Sequence, residues 1–217
     1  MTVRVMWVSP AMNAALREAR FDGDAPLDRA GERSARAAAA AVPKSGAVLS
    51  GPSERCLGTA AALGLAARAE PALTGWDLGR WSGRRLDEVG AAEPAAVAAW
   101  IGDPSAAPHG GESLRALLER VGGWLDGTGA GDTLGPGDGT GATVGRDAGD
   151  GPGAGGGSVL AVAEPAVVRA AVVHALALPV EAFWRLDVAP LVLTELSGRS
   201  GRWNVRLGRP LAAPEGP

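Results

Sequence analysis

The sequence predicts a three-layer α/β fold (αβα), in which helices cover both faces of a central, mostly parallel sheet. Short apolar segments such as 3–8 and 158–163 alternate with segments of helical pattern along the chain. This alternation is typical of α/β domains. The chain has 217 residues, 46% of them hydrophobic, which suits one domain with a substantial core. We therefore expect a single domain over 1–217.

Helix-start and helix-stop residues place the elements of the first half. Asp28 suits a helix N-cap and Pro43 lies just beyond the end of the same helix, while Pro52 suits the first turn of the next. In chain order, the predicted elements of this half are strand 3–8, helix 28–42, strand 47–49, helix 52–67, an extended piece at Leu73, and helices at 84–90 and 93–102.

The second half is predicted from helical periodicity and turn residues. Leucine and valine recur at spacings of three and four between 114 and 125, which indicates one apolar face of a helix. The sequence Gly198-Arg199-Ser200-Gly201 predicts a hairpin between two strands. The remaining predicted elements are strand 158–163, helix 165–177, and strands at 188–196 and 202–207.

An insert at 127–157 breaks the composition. It holds 14 of the 33 glycines and four aspartates, with almost no large apolar side chain. Such a segment cannot bury enough surface to offset its ordering entropy. We expect a flexible, disordered loop that interrupts the domain.

Charge and composition exclude several classes of partner and site. The net charge of -3 offers no electrostatic attraction to nucleic acid or to an anionic membrane. No uncharged apolar run reaches the roughly 18 residues of a membrane span, and one cysteine, Cys56, allows no internal disulfide. We expect a cytoplasmic protein. Only two histidines are present, His109 and His174, far apart and without a cysteine at ligand spacing, so no metal and no cofactor is expected.

Several segments, in the right order, resemble the histidine phosphatase (phosphoglycerate mutase-like) superfamily. Leu78-Gly79-Arg80-Trp81-Ser82-Gly83 is similar to the family's Phe-Gly-x-Trp-Glu-Gly, and Pro108-His109-Gly110-Gly111-Glu112-Ser113 is similar to Pro-Gly-Gly-Glu-Ser. The other segments that carry the resemblance are 24–31, 49–60, 184–187, 193–196 and the ends of strands 3–8 and 158–163. The resemblance covers nearly the whole chain apart from the insert and implies a phosphoglycerate mutase-like sheet.

The residues that the resemblance aligns with the family's chemistry are altered. In the family, a first histidine attacks phosphorus, arginines and a second histidine bind the phosphoryl oxygens, and a carboxylic acid protonates the leaving group. The matching positions here hold Ser9 and Pro10 for Arg-His, Gly75 for the acid, and Glu164 for the second histidine. Of the phosphate pocket only Arg55 is retained. Phosphohistidine chemistry is therefore predicted to be absent.

The candidate site residues each have a functional and a structural interpretation. Arg55 is an anion anchor, or else a solvated helix arginine or salt-bridge partner. Glu164 is an acid or base in a cleft, or else caps the helix that begins at Pro165 and pairs with Arg55. His109 borders the pocket or is a surface loop residue. The other residues expected at the mouth of the cleft are Trp7, Asn13, Ser50, Trp76 and Asp77.

Three functions follow from this pattern. The first is a degenerate histidine phosphatase (a pseudo-phosphatase) whose remodelled cleft binds a small organic anion or whose surface binds a partner protein. The alternative is an enzyme repurposed for non-phosphoryl chemistry in a biosynthetic pathway, with Glu164 or His109 as acid or base. The third, ranked last, is residual phosphatase activity, for which Ser9 is the only nucleophile to suggest.

Overall fold

The computed structural model describes residues 2–21, 23–130 and 157–211. Within the insert predicted at 127–157, residues 131–156 lie outside the described residues. At its near edge the prediction is wrong: Gly127–Ala130 continue the preceding helix, and the Thr128 hydroxyl donates to the carbonyl of Trp124. The hydroxyl is thereby satisfied within the helix itself.

The described strands form one six-stranded sheet in the order β3-β2-β4-β1-β5-β6. Strands β1, β4, β2 and β3 pair in parallel, and β5 is antiparallel to both β1 and β6. The predicted α/β class with a mostly parallel sheet is confirmed. The strand bounds are β1 Val3–Val8, β2 Ala47–Ser50, β3 Arg68–Ala69, β4 Ser158–Val162, β5 Val192–Arg199 and β6 Arg202–Pro210.

Seven α-helices and four short 3-10 helices are found in the described residues. The α-helices are α1 Ala14–Arg17, α2 Arg29–Ala38, α3 Glu54–Ala62, α4 Leu86–Ala92, α5 Pro94–Gly102, α6 Leu114–Ala130 and α7 Pro165–Ala175. The 3-10 helices are Ala39–Ala41, Pro71–Leu73, Gly79–Trp81 and Val180–Arg185. None of these helices is long and apolar enough to cross a membrane.

Several predicted bounds need correction. The strand predicted at 188–196 is found at Val192–Arg199, and the strand predicted at 202–207 extends over Arg202–Pro210. Helix α3 is shorter than 52–67 because Ser53, not Pro52, caps it, accepting a hydrogen bond from the Cys56 amide. Its C-terminal end is set by Gly64, which has a positive φ of 75°. Leu73 is not extended but ends a 3-10 turn that the Glu70 side chain caps, so the local side-chain hydrogen bond determines the conformation.

The core lies on both faces of the central strands. Along β1, Val5 and Trp7 belong to the cluster with α6 and α7, whereas Met6 and Val8 belong to the cluster with α2 and α3. Side chains alternate between the faces of a strand. Because both faces are covered, the architecture has three layers. A smaller third cluster, around Trp81 and Trp100, lies beside α4 and α5.

The parallel register brings three strand ends to one edge of the sheet. Val162 in β4 is the partner of Val8 in β1 and of Ser50 in β2. The residues that follow, Ser9 after β1 and Glu164 after β4, therefore leave the sheet at the same edge. Ligand sites in open α/β sheets lie at this edge, so the fold places the altered positions beside a cleft.

Candidate functional site

A cleft of about 610 Å³ opens at the carboxyl ends of the parallel strands. Its volume falls within the ~300–1,000 Å³ range of small-molecule sites. The cleft lies between the start of α3, the start of α7 and the loops before them. Its described lining is Leu16, Gly23, Asp24, Pro52, Ser53, Arg55, Thr74, Gly75, Trp76, Leu78, Ser82, Glu164, Pro165, Ala166 and Arg169.

The central contact of the cleft is an ion pair between Arg55 and Glu164. Arg55 Nη2 contacts Glu164 Oε2, and Arg55 Nε donates to Glu164 Oε1 at 3.2 Å. The two side chains are only 2% and 9% exposed. This two-point geometry is the arrangement in which a guanidinium binds a carboxylate most strongly. The salt-bridge interpretation of Arg55 thus describes the geometry found.

Helix α3 supplies two further donors to the same carboxylate. The Ser53 hydroxyl donates to Glu164 Oε1 at 3.0 Å and the Cys56 thiol does so at 3.4 Å. Ser53, Arg55 and Cys56 all lie at the first turn of α3, where the helix dipole also favours negative charge. Glu164 therefore occupies a site that is built to hold an anion.

Glu164 does not cap its own helix. It stands at the N-cap position of α7, but its side chain accepts no hydrogen bond there from the described backbone. Pro165 at the first helical position has no N–H to offer. The expected capping role is wrong, because the carboxylate extends across the cleft to α3 instead.

Gly75 gives the Glu164 side chain room. A Cβ placed on residue 75 would lie 3.2 Å from Glu164 Cγ and 3.8 Å from its Cβ. The first distance is closer than ordinary van der Waals contact. Residues 75 and 164 are thus close neighbours, and a side chain at residue 75 would require the Glu164 methylene to shift by a few tenths of an ångström.

Ser9 and Pro10 lie below the cleft instead of lining it. The Ser9 hydroxyl donates to the carbonyl of Ala189 and accepts from the Val192 amide at 3.1 Å. Both residues are buried. These hydrogen bonds connect the end of β1 to the start of β5. The Ser9 hydroxyl, suggested above as a nucleophile, is therefore engaged in structural hydrogen bonds.

His109 is buried in the aromatic cluster and is not among the described lining of the cleft. It is 1% exposed, and its ring centroid lies 5.1 Å from that of Trp81. Its Nδ1 accepts from the Gly111 amide at 3.1 Å, which assigns the proton of the neutral ring to Nε2. Burial lowers the pKa of His109, with Asp77 raising it and Arg80 lowering it. The expectation of a pocket or surface position is therefore not met.

Of the other residues expected at the mouth of the cleft, Trp76 lines it. Its indole N–H donates to the carbonyl of Glu112 at 2.7 Å, and its ring packs against Phe183, Trp100 and Trp184. The indole therefore presents ring surface to the cleft while its polar atom is satisfied elsewhere.

The other four residues expected at the mouth of the cleft make structural contacts instead. Asp77 accepts from the Gly79 amide at 2.8 Å, and Asn13 caps α1 while donating to the carbonyl of Ala25. Ser50 donates to the carbonyl of Gly51 at 2.8 Å. Trp7 is fully buried against Trp124.

Arg169 is a lining residue that the sequence analysis missed. It lies in α7, and its guanidinium carbon is 5.9 Å from the Phe183 ring centroid. Its Nε is buried without a hydrogen-bond partner among the described residues. Burial lowers the pKa of Arg169, and the Asp187 carboxylate raises it. The available signal was an arginine within an alanine- and valine-rich helix, four residues after Pro165 and so on the same helix face.

The described residues contain no group of three or more histidine, cysteine, aspartate or glutamate side chains that could hold a metal ion. His174 lies outside the cleft, where its Nε2 is 3.0 Å from Asp126 Oδ2. The chemistry of the cleft therefore depends on its arginines, its carboxylates and its indole.

A model of the histidine phosphatase superfamily (branch 1) matches residues 10–133 of the chain. The match spans more than half of the sequence, and the chain belongs to this superfamily. No curated protein matches it in sequence.

Solved structures share the fold over nearly the whole chain. A mycobacterial glucosyl-3-phosphoglycerate phosphatase is 25% identical, with 98% of this chain and 100% of that one covered and a TM-score of 0.75. Mycobacterial hydrolase 1 is 25% identical, with 95% and 98% covered and a TM-score of 0.76. The alpha-ribazole phosphatase of Shigella flexneri is 17% identical, with 99% and 100% covered and a TM-score of 0.75, and shows the fold alone.

Proposed function

We propose that this chain is a histidine phosphatase superfamily member that has lost phosphoryl transfer and uses its cleft to bind a small molecule. The observation that supports the proposal best is the buried ion pair of Arg55 with Glu164. The Glu164 carboxylate binds Arg55, which is the arginine that the resemblance implies as a ligand of the phosphoryl oxygens.

The lack of an imidazole in the described lining of the cleft supports the proposal. Covalent phosphoryl transfer needs a basic lone pair at the reacting position, and Pro10 has no side-chain heteroatom. The two imidazoles of the chain lie elsewhere, since His109 packs against Trp81 and His174 pairs with Asp126. Neither belongs to the lining of the cleft.

Electrostatics oppose a phosphate in the same place. A phosphate dianion beside Arg55 would meet the Glu164 carboxylate, and like charges at close range cost affinity. The similar mycobacterial phosphatase has been solved with inorganic phosphate and with VO3. In this chain, such a ligand would have to displace Glu164 from Arg55, Ser53 and Cys56 before it could bind.

The alternative of a repurposed acid–base enzyme has less support. Three described side chains donate hydrogen bonds to Glu164, one of them a guanidinium, so the carboxylate would have to give up these contacts to accept a proton from a substrate. His109 would need to leave the aromatic cluster to meet a substrate. Residual phosphatase activity through Ser9 would need its hydroxyl to leave Ala189 and Val192.

Hydrolysis of p-nitrophenyl phosphate with and without vanadate tests the loss of activity. We expect no vanadate-sensitive turnover above the level of an Arg55→Met variant purified in the same way. That matched preparation accounts for any contaminating phosphatase. Turnover comparable to that of an active relative assayed in parallel, and lost in the variant, would refute the proposal.

A further inference from the structure

Arg169 is a cation in the cleft wall whose donors are not all used. Among the described residues its buried Nε has no hydrogen-bond partner, although a guanidinium offers five N–H groups. Pro165 and Ala166, which precede it by four and three residues in α7, line the cleft with it. This spacing puts all three on one helix face. The aromatic ring of Phe183 is 5.9 Å from the guanidinium carbon and provides only a cation–π contact.

Arg169 has no ion-pair partner of its own among the carboxylates in the described lining of the cleft. The ionisable side chains in that lining are Asp24, Arg55, Glu164 and Arg169, and their formal charges sum to zero. Arg55 pairs with Glu164, and Asp24 accepts a hydrogen bond from the Glu54 amide at the start of α3. A bound carboxylate would therefore contact the Arg169 guanidinium directly. A dianion would bring a second negative charge toward Asp24 and Glu164.

Burial strengthens the case for an anionic partner. Desolvation lowers the pKa of the Arg169 guanidinium, while Asp187 raises it. A desolvated cation gains more from an ion pair than an exposed one, because the effective dielectric constant is lower.

The rest of the wall is largely apolar. Trp76, Leu16, Pro52, Leu78 and Ala166 contribute to it, and the indole N–H of Trp76 is already bonded to Glu112. A ligand that fits this wall has an apolar ring or chain beside its charged group, as is usual for small-molecule sites with few polar anchors.

We propose that Arg169 anchors a small organic carboxylate, a monoanion whose apolar ring or chain packs against Trp76. This inference rests on the proposed function, because it assigns the ligand class of the same cleft. It differs from the phosphate sites that the family resemblance implies, since the anchoring arginine is on α7 and Arg55 is already paired.

Three compounds that share a naphthalene ring, and one anion without a ring, test the ligand class on the wild-type protein by isothermal titration calorimetry. They are 2-naphthoate, the neutral 2-naphthalenemethanol, the dianionic 2-naphthyl phosphate and, as the ring-free anion, inorganic phosphate. We expect 2-naphthoate to bind at least about tenfold more tightly than each of the others, which corresponds to about 1.4 kcal/mol. Equal affinity for the alcohol would overturn the role of the cation, and tighter binding of the naphthyl phosphate would overturn the monoanion.

Substitutions of Arg169 test the anchor. Arg169→Met should weaken 2-naphthoate at least about tenfold and leave the alcohol unchanged, while Arg169→Lys should lose less because it keeps the charge. Arg36→Met is the matched control, since Arg36 pairs with Glu32 on the exposed face of α2. Unchanged 2-naphthoate affinity in a folded Arg169→Met protein would overturn the inference. If Arg169→Met does not fold, two other measurements test the inference. They are the affinity of Arg169→Lys for 2-naphthoate relative to wild type, and the compound series on the wild-type protein.

The same probe separates this inference from the proposed function. Release of 2-naphthol from 2-naphthyl phosphate, in excess of the Arg55→Met preparation, would refute the loss of phosphatase activity whatever the carboxylate does. No release together with no binding of 2-naphthoate would refute the carboxylate site alone.

Discussion

Gly75 lies against the side chain of Glu164. A Cβ on residue 75 would come within 3.2 Å of Glu164 Cγ, so the absence of a side chain at residue 75 leaves room for the Glu164 methylene where it stands. The two positions, 89 residues apart in the chain, are therefore expected to be energetically coupled.

Removal of the Glu164 carboxylate should strongly destabilise the fold. Glu164→Ala removes the carboxylate that contacts the buried Arg55 guanidinium, and breaking a buried ion pair costs about 3–5 kcal/mol. The free energy of unfolding in urea measures the loss. The exposed pair of Glu32 with Arg36 provides the control, since Glu32→Ala should cost no more than about 1 kcal/mol. Equal losses in the two variants would show that the buried pair has no special importance for stability.

Substitution of Gly75 should reveal its coupling to Glu164. Gly75→Ala places a methyl group against the Glu164 side chain, and overpacking of this kind costs about 1–3 kcal/mol. In the Glu164→Ala background the same change should cost little, because the crowded atoms are gone. A double-mutant cycle on the free energies of unfolding measures the coupling. Additive losses would mean that the contact does not constrain either residue.

An external anion should replace the lost carboxylate. In Glu164→Ala the donors of Ser53, Arg55 and Cys56 are left without their acceptor, so acetate or phosphate has a vacated site to fill. A ligand that binds only the folded protein raises its stability. Thermal unfolding should therefore show a concentration-dependent rise in Tm with acetate for this variant. Wild type, at the same ionic strength, serves as the control, and a parallel rise in both proteins would rule out a specific site.

The buried imidazole of His109 should make the fold sensitive to mild acid. Burial lowers its pKa in the folded state below the ordinary value of 6.5. Above that pH both states are neutral and nothing is lost. As the pH falls below 6.5, the unfolded chain binds a proton that the folded chain does not, so stability decreases until the folded pKa is reached.

The free energy of unfolding between pH 8 and pH 5, in wild type and in His109→Gln, measures this term. Glutamine keeps an acceptor for the Gly111 amide but does not titrate, so the decrease should be smaller. His174→Gln is the comparison on an exposed histidine, and an identical pH dependence in wild type and His109→Gln would contradict the assignment.

The sequence was sufficient for the architecture. Strand lengths and helical periodicity are local properties, and they placed β1, β4 and α6 close to their observed bounds. An ion pair of Arg55 with Glu164 was one of the alternatives, because the resemblance aligns both residues with the phosphate pocket.

The directions in which side chains point could not be predicted from the sequence. His109 faces Trp81 and Trp100, in a cluster that also draws in Phe21, Trp76 and Trp184, and no local pattern shows that cluster. Arg169 was missed for a related reason, since its lack of a partner for Nε depends on how α7 packs beside Phe183. Ser53 was overlooked because its hydroxyl both accepts from the Cys56 amide in α3 and donates to Glu164, which is far away in the sequence.

The attachment of Ser9 to Ala189 and Val192 has a consequence for any attempt to install the family's chemistry in this chain. An arginine placed at residue 9 would break the bonds that hold the first strand end to its neighbour, and an acid placed at residue 75 would crowd the carboxylate opposite. Each of these side chains, introduced alone, thus meets contacts that oppose it. Engineering of the cleft therefore has to change residues 9, 75 and 164 together.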